Sequence, residues 1–324
     1  MSVKSRSAER NLTVQSALNP VVASASKAHA SPAQGISLVI PVFNEAAGLK
    51  EVLHSIQVEL EGWRIPVEVI VVDDGSQDGC QKLMEEFPDF VLLQHRANRG
   101  YGAALKTGIR QAKFPWICIT DGDGTYPVEQ IPGLIQMQQK SGASMIIGAR
   151  SQPGAAIPRI RRPAKWALNR VGAFISGEPI PDLNSGLRLF RRDLAQQIFG
   201  MLPDGFSFTS TLTLALVTNG FQVGYLPIQY HLRQGTSKIR PVVDTVNFLQ
   251  TILRMALYFA PLKVFLPLSG VMIAAAVVWA LLTRFLLGEL ADVSTLILAV
   301  AGIQVALLGM LAELINRRLP GPFS

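Results

Sequence analysis

Two apolar runs close the chain, residues 264–287 and 293–315, and they constrain its fold more than any other feature. Each exceeds the roughly 20 residues that an α-helix needs to cross a bilayer. A buried core helix can be as apolar, but two such runs back to back predict a transmembrane hairpin. Lys263 flanks one end of the pair, Arg317 and Arg318 the other, and the link between carries Glu289 and Asp292. The positive-inside rule then places both ends, and the large domain before them, in the cytoplasm. Arg284 near the far side opposes this unless its long side chain snorkels.

Residues 242–259 precede the hairpin with apolar side chains at helical spacing, Val246, Leu249, Leu253 and Ala256 among them. Asp244, Asn247, Gln250 and Arg254 fill the other face. This fits a helix lying on the membrane surface or one docked on the preceding domain. At the other end, residues 1–35 are Ser- and Ala-rich without sustained periodicity, and a disordered tail is expected. A secretory signal would need a continuous apolar core, which this stretch lacks; an amphipathic targeting peptide stays open.

Between the ends, short apolar runs alternate with helical segments. Strands are predicted over 36–42, 67–72, 90–94, 116–119, 144–148, 187–190 and, as an extended stretch, 221–229. Helices are predicted up to about residue 60 and over 79–87, 102–112, 128–140 and 208–218. Such alternation means an α/β fold, a mostly parallel sheet with helices on both faces. A basic, proline-broken stretch holding Arg159, Arg161, Arg162, Lys165 and Arg170 has no predicted element.

The chemistry gathers at strand ends. The run Ile119-Thr120-Asp121-Gly122-Asp123-Gly124-Thr125-Tyr126-Pro127 follows one predicted strand. Taken alone, such a turn is as readily a solvated loop. An EF-hand would need Gly and Glu six and twelve places into the loop, where Tyr126 and Pro132 stand. Alternate residues of an extended segment share a side, so Asp121 and Asp123 can converge on Mg²⁺ or Mn²⁺ carrying substrate phosphates. Glu45 and the pair Asp73-Asp74 end two other strands, and a parallel sheet brings all of these to one edge. Asp74 suits a base or ribose; Arg150, Arg233 and Lys238 are candidate phosphate ligands.

The formal charge of +7 favours an anionic partner. Without zinc-finger spacing or basic blocks interleaved with aromatics, no nucleic-acid partner is expected. The two cysteines, Cys80 and Cys118, imply no disulfide framework. Gly100-Tyr101-Gly102 hints at a dinucleotide fingerprint, but Leu105 stands where a third small residue is required, and an oxidoreductase is rejected.

Seven motifs now occur in order: Pro41-Val42-Phe43-Asn44-Glu45, Asp73-Asp74-Gly75-Ser76, Asn98-Arg99-Gly100-Tyr101-Gly102-Ala103-Ala104, the Asp121–Asp123 pair, Gly148-Ala149-Arg150, Ser185-Gly186-Leu187-Arg188 and Gly235-Thr236-Ser237-Lys238. Together they resemble a family 2 glycosyltransferase of the GT-A fold, in the polyprenyl-phosphate branch that includes dolichol-phosphate mannosyltransferase-like enzymes. The resemblance implies a GT-A domain over 36–240, an interfacial helix over 241–261 and two membrane helices over 262–318. It implies a membrane-bound, inverting transfer of a sugar from a UDP-glucose- or GDP-mannose-type donor to undecaprenyl or dolichyl phosphate. Pro41, Phe43, Glu45, Val72, Asp74 and Gly122 would line the nucleotide-sugar pocket, with Arg150, Arg233 and Lys238 on its phosphates. Asp121 and Asp123 would be catalytic and hold the metal with Thr125. Arg162, Lys165, Ser185 and Arg188 would meet the acceptor phosphate. Two departures stand out: Thr125 replaces a frequent Gln, and the late loop is one residue shorter between Arg233 and Gly235 than in several relatives. Partners would be nucleotide sugar, polyprenyl phosphate and bilayer, with a homo-oligomer left open. Other readings are a different membrane-lipid or polysaccharide acceptor, which would need a base, and a non-catalytic scaffold.

Overall fold

In this computed structural model, residues 34–151, 162–231, 250, 253–254, 256–286, 288 and 292–318 are described. The expected tail up to residue 33, most of the helix expected over 241–261, and Arg159, Arg161, Arg233, Lys238 and Glu289 lie outside the described residues.

The chain runs β1 (Ile36–Val42), α1 (Ala46–Leu60), β2 (Val67–Asp73), α2 (Cys80–Leu83), β3 (Val91–Gln94), α3 (Tyr101–Gln111), β4 (Trp116–Ile119) and α4 (Ile131–Ser141). It continues through β5 (Met145–Ala149), α5 (Arg162–Ser176), β6 (Arg188–Arg191), α6 (Arg192–Gln197), α7 (Phe208–Thr218) and β7 (Val223–Pro227), then α8 (Pro261–Leu286) and α9 (Asp292–Arg318). One seven-stranded sheet has the order β3-β2-β1-β4-β6-β5-β7. It is mostly parallel, as the alternation implies, with β6 antiparallel to both β4 and β5.

Both faces of the central strands are covered, so they read as unbroken apolar runs. Leu38, Ile40, Val69, Val71 and Cys118 face the layer of α1 and α4. Val39, Ile70, Val72, Ile117 and Ile119 face the layer of α3 and α7. At Gly108 a Cβ would come within 2.4 Å of Val39, so only glycine lets α3 lie this close to the sheet.

After β3 the chain returns to β4 on the other side of β1, which puts a topological switch point at the carboxyl ends of β1 and β4. Open α/β sheets bind ligands there.

From Arg162 on, the stretch read as proline-broken is the 15-residue helix α5. Pro163 falls in its first turn, where the missing N–H has no intrahelical partner to lose. Trp166 on this helix is 67% exposed, whereas Trp116 is buried.

α8 and α9 form a hairpin, and only 11% of each apolar stretch is buried by protein. A soluble core helix would be covered, so these two helices anchor the protein in a membrane. A Cβ on Gly302 would lie 2.8 Å from Ile273, and one on Gly309 2.5 Å from Phe265. Small residues thus set the close helix approach. Arg284 donates to the Gly288 carbonyl in the link, at 2.8 Å. A third cluster, Ile175, Ile180, Leu183, Leu214, Ala256 and Ala260, packs the start of the hairpin against α5 and α7.

Candidate active site

A cavity of about 620 Å³ opens at the switch point. β1 delivers Pro41 and Phe43, β2 Asp74, and β4 Asp121, Gly122 and Asp123; Glu45 and Arg150 also line it.

Local geometry holds these groups in place. Asn44 adopts φ +54°, a left-handed conformation that Asn tolerates. Its side-chain oxygen accepts from Gln77 N at 2.8 Å, and its N–H donates to Ser76 Oγ at 2.9 Å. The exits of β1 and β2 are thereby tied together. Asp73 and Asp74 then divide their work by the pleat. Asp73 accepts from Ser76 N and Gln81 Nε2 and builds the turn. Asp74 faces the cavity and accepts from His95 Nδ1 at 2.6 Å, Arg99 N at 2.9 Å and Gly100 N at 2.8 Å. It therefore shapes the 98–100 loop as well as lining the pocket.

Asp121 accepts from the Tyr101 hydroxyl at 3.0 Å. Burial first, and the neighbouring Asp123 second, push its carboxyl up to about 6. Any Cβ on Gly186 would stand 2.8 Å from Asp121 Oδ2, so glycine is needed beside it. Asp123 Oδ1 accepts from Thr125 N at 3.1 Å and Thr125 Oγ1 at 2.6 Å.

Arg150 donates from Nε and Nη2 to the two oxygens of Asp182, both at 2.8 Å, and from Nη2 to Asn184 at 2.8 Å. Its guanidinium also lies 5.3 Å from the Tyr230 ring centroid. The fork is thus oriented by protein groups before any phosphate arrives.

Four expected ligands are elsewhere. Val72 is fully buried and its side chain packs into the α3 layer, so it does not line the cavity. Thr125 is fully buried, turned onto Asp123, and supports that carboxylate from behind. Ser185 is buried with its hydroxyl donating to Gly148 O at 2.6 Å. Arg188 is fully buried and donates to Thr209 O, Thr213 Oγ1, Leu183 O and Ser185 O. Burial lowers its guanidinium to about 10, so it stays charged at neutral pH. Neither Ser185 nor Arg188 lines the cavity. Arg162 and Lys165 belong to α5, but their side chains lie outside the described residues.

Sequence reasoning missed His95, Asp182, Asn184 and Phe206. Tyr101 stood in a quoted motif with no role given. Nothing in their spacing marks the others, since each finds its partner through the fold.

Among the described residues no three His, Cys, Asp or Glu side chains gather as a metal cluster. The fitting donor set is the Asp121–Asp123 pair: hard oxygens on a cavity wall, with room for substrate phosphates to complete the shell.

Residues 37–199 match the family model described as Glycosyl transferase family 2, and residues 260–317 match the GtrB C-terminal hairpin. The chain is 27% identical to the dolichyl-phosphate hexose transferase of Haloferax volcanii over 68% of this chain and 94% of that one. It is 30% identical to the polyprenol monophosphomannose synthase of Mycolicibacterium smegmatis over 64% and 82%. Among solved structures, glucosyl-3-phosphoglycerate synthase of Mycobacterium tuberculosis, in complex with Mn²⁺, UDP and phosphoglyceric acid, superposes with a TM-score of 0.55 at 17% identity, covering 69% of this chain and 78% of that one. The same protein solved with Mg²⁺ and UDP also gives 0.55, at 17% identity and the same coverage of 69% and 78%. The likeness is one of fold, the GT-A type. None of these names points to a homo-oligomer.

Proposed function

Since the chain belongs to glycosyl transferase family 2, we propose that it transfers a sugar from a nucleoside diphosphate to the phosphate of a polyprenyl lipid at the membrane. The observation that carries this is the joining, on one chain, of an acid-lined switch-point cavity to a lipid-embedded hairpin. Relatives named for polyprenol and dolichyl phosphate support the acceptor class.

The nucleoside would enter beside Pro41, Phe43 and Asp74, with the diphosphate reaching Asp121 and Asp123. Those two carboxylates would hold a divalent cation, as Mg²⁺ or Mn²⁺ accompanies UDP in the structural neighbour. When bound, such an ion supplies positive charge to the departing diphosphate. Tyr101 keeps Asp121 oriented and Thr125 keeps Asp123 oriented. Arg150, already splayed by Asp182, offers a guanidinium to a phosphate on the cavity side.

The acceptor phosphate is anionic and needs no base. An oxygen of that phosphate forms a bond to the anomeric carbon as the bond from that carbon to the diphosphate breaks, and in-line attack inverts the configuration. A hydroxyl acceptor would require a general base and a phosphate acceptor does not; the relatives named for polyprenol and dolichyl phosphate favour the phosphate. With Lys263 at the near end of the hairpin, the catalytic domain is assigned to the cytoplasmic side.

The test is transfer by the purified full chain from a panel of radiolabelled nucleotide sugars to polyprenyl phosphate. One labelled lipid-linked sugar is expected with a divalent cation present. Transfer to the corresponding polyprenol with equal efficiency would remove the phosphate assignment.

A further inference from the structure

We propose that the Thr209 hydroxyl, in the first turn of α7, recognises a hydroxyl of the transferred sugar and so sets which sugar the site accepts. The inference rests on the donor reading above and adds a specificity-determining residue to it.

Thr209 is only 3% exposed, yet it lines the cavity. Among the described residues its Oγ1 has no hydrogen-bond partner. Thr213 and Thr218 of the same helix instead spend their hydroxyls on Thr209 O and Leu214 O, at 2.9 and 2.6 Å. The Thr209 hydroxyl therefore keeps its donor and acceptor capacity for a cavity ligand.

The position is fixed from behind. Arg188 Nη1 donates to Thr209 O at 2.7 Å, so the buried guanidinium pins the backbone of this cavity-lining residue. The preceding loop is clasped to α3: a Cβ on Gly102 would sit 2.2 Å from Pro203 O, and Lys106 pairs with Asp204 at 2.7 Å. From that loop Phe206 stacks on Tyr101, with centroids 5.6 Å apart, and Tyr101 holds Asp121. Thr209 lines the same cavity as Asp121, where the sugar-bearing phosphate would lie. A phosphate would call for a charged fork, but Arg188 beneath Thr209 is committed to carbonyls and Thr213. A neutral polyol hydroxyl matches what Thr209 offers.

The test compares binding of nucleotide sugars and their parent nucleoside diphosphates to the full chain, its Thr209→Val variant and its Thr209→Ser variant. Valine keeps the shape and removes the hydroxyl; serine keeps the hydroxyl. UDP-glucose, UDP-galactose, UDP-galacturonate and GDP-mannose serve as probes, with thermal melting to verify folding. We expect Thr209→Val to weaken the preferred nucleotide sugar roughly tenfold, to leave the parent diphosphate unchanged, and to narrow discrimination among sugars. Thr209→Ser should restore both. Unchanged sugar affinity and selectivity in a folded Thr209→Val protein would overturn the assignment, as would an equal loss for the diphosphate alone. Lipid transfer is assayed in parallel: its absence with sugar recognition intact would refute the acceptor reading and leave Thr209 standing.

Discussion

His95 Nδ1 lies 2.6 Å from a carboxylate oxygen of Asp74, and both side chains are about 95% buried. The other ring nitrogen meets Thr107 Oγ1 at 2.9 Å. The imidazole thus clamps the cavity-facing aspartate from the α3 side, while Arg99 N and Gly100 N hold it from the loop. Removing the ring nitrogens by His95→Phe leaves one Asp74 lone pair without a donor. We expect a stability loss of about 1–3 kcal/mol and a several-fold rise in KM for the nucleotide sugar, with kcat little changed. Denaturant melts and steady-state kinetics measure both. An unaltered KM would disconnect the clamp from nucleotide binding.

Asp123 and Thr125 allow ligand and support to be separated. Asp123→Ala should abolish cation-dependent transfer while the protein still folds. Thr125→Val removes a 2.6 Å donor from Asp123 but no carboxylate. It should lower kcat/KM about tenfold, and raised Mn²⁺ should partly restore the rate. Equal and unrescued losses in both variants would make Thr125 a ligand after all.

Arg188 marks where the sequence reads poorly. A charged residue in a short apolar run suggests a surface position, yet its acceptors on Thr209 and Thr213 are 21 and 25 residues away and invisible to spacing. Strands β1 and β4, by contrast, were legible to the residue, because apolar runs bounded by Gly, Pro or Asp leave little freedom. The reversal of β6 was not, since an apolar run carries no direction. Pro163 misled for a local reason: first-turn proline starts a helix that mid-helix proline would break. The motif acids reached the cavity because strand ends of a parallel sheet share an edge. His95, which supports Asp74, and Asp182, which supports Arg150, come from loops and carry no periodic signal.

Arg188→Met provides the corresponding check. Stripping a buried, fully bonded charge from carbonyls that then lack donors should cost about 3–5 kcal/mol. We expect a marked fall in melting temperature. A stable variant whose only defect is a higher KM for lipid phosphate would return Arg188 to the acceptor site.

Asp182 should behave similarly but with a functional signature. Its carboxylate is fully buried and takes three bonds from Arg150, two from the guanidinium and one from the backbone N–H. Asp182→Asn keeps the shape and halves the fork. The freed guanidinium should then hold the nucleotide diphosphate less specifically. We expect about 2–3 kcal/mol of lost stability and weaker nucleotide binding, both measurable by calorimetry. Unchanged affinity for the nucleoside diphosphate would place Arg150 outside the phosphate site.

Lys263 links the two parts of the molecule. Its ammonium donates to Phe174 O at 2.8 Å and Ile175 O at 3.0 Å, and lies 5.4 Å from the Phe174 ring centroid. A cation on the last turn of α5 satisfies carbonyls that the helix leaves unpaired and complements its dipole. Because Lys263 sits in the first turn of α8, the contact fixes the catalytic domain against the start of the hairpin. α5 also exposes Trp166 and Phe174, apolar rings suited to the bilayer interface near that contact. Lys263→Met should leave nucleotide-sugar binding intact and loosen this junction. Transfer to long-chain polyprenyl phosphate in liposomes should fall several-fold, while transfer to a short, water-soluble isoprenyl phosphate should change little. The ratio of the two rates is the measurement. Equal losses on both acceptors would mean that Lys263 serves the fold of the catalytic domain and not its alignment with lipid.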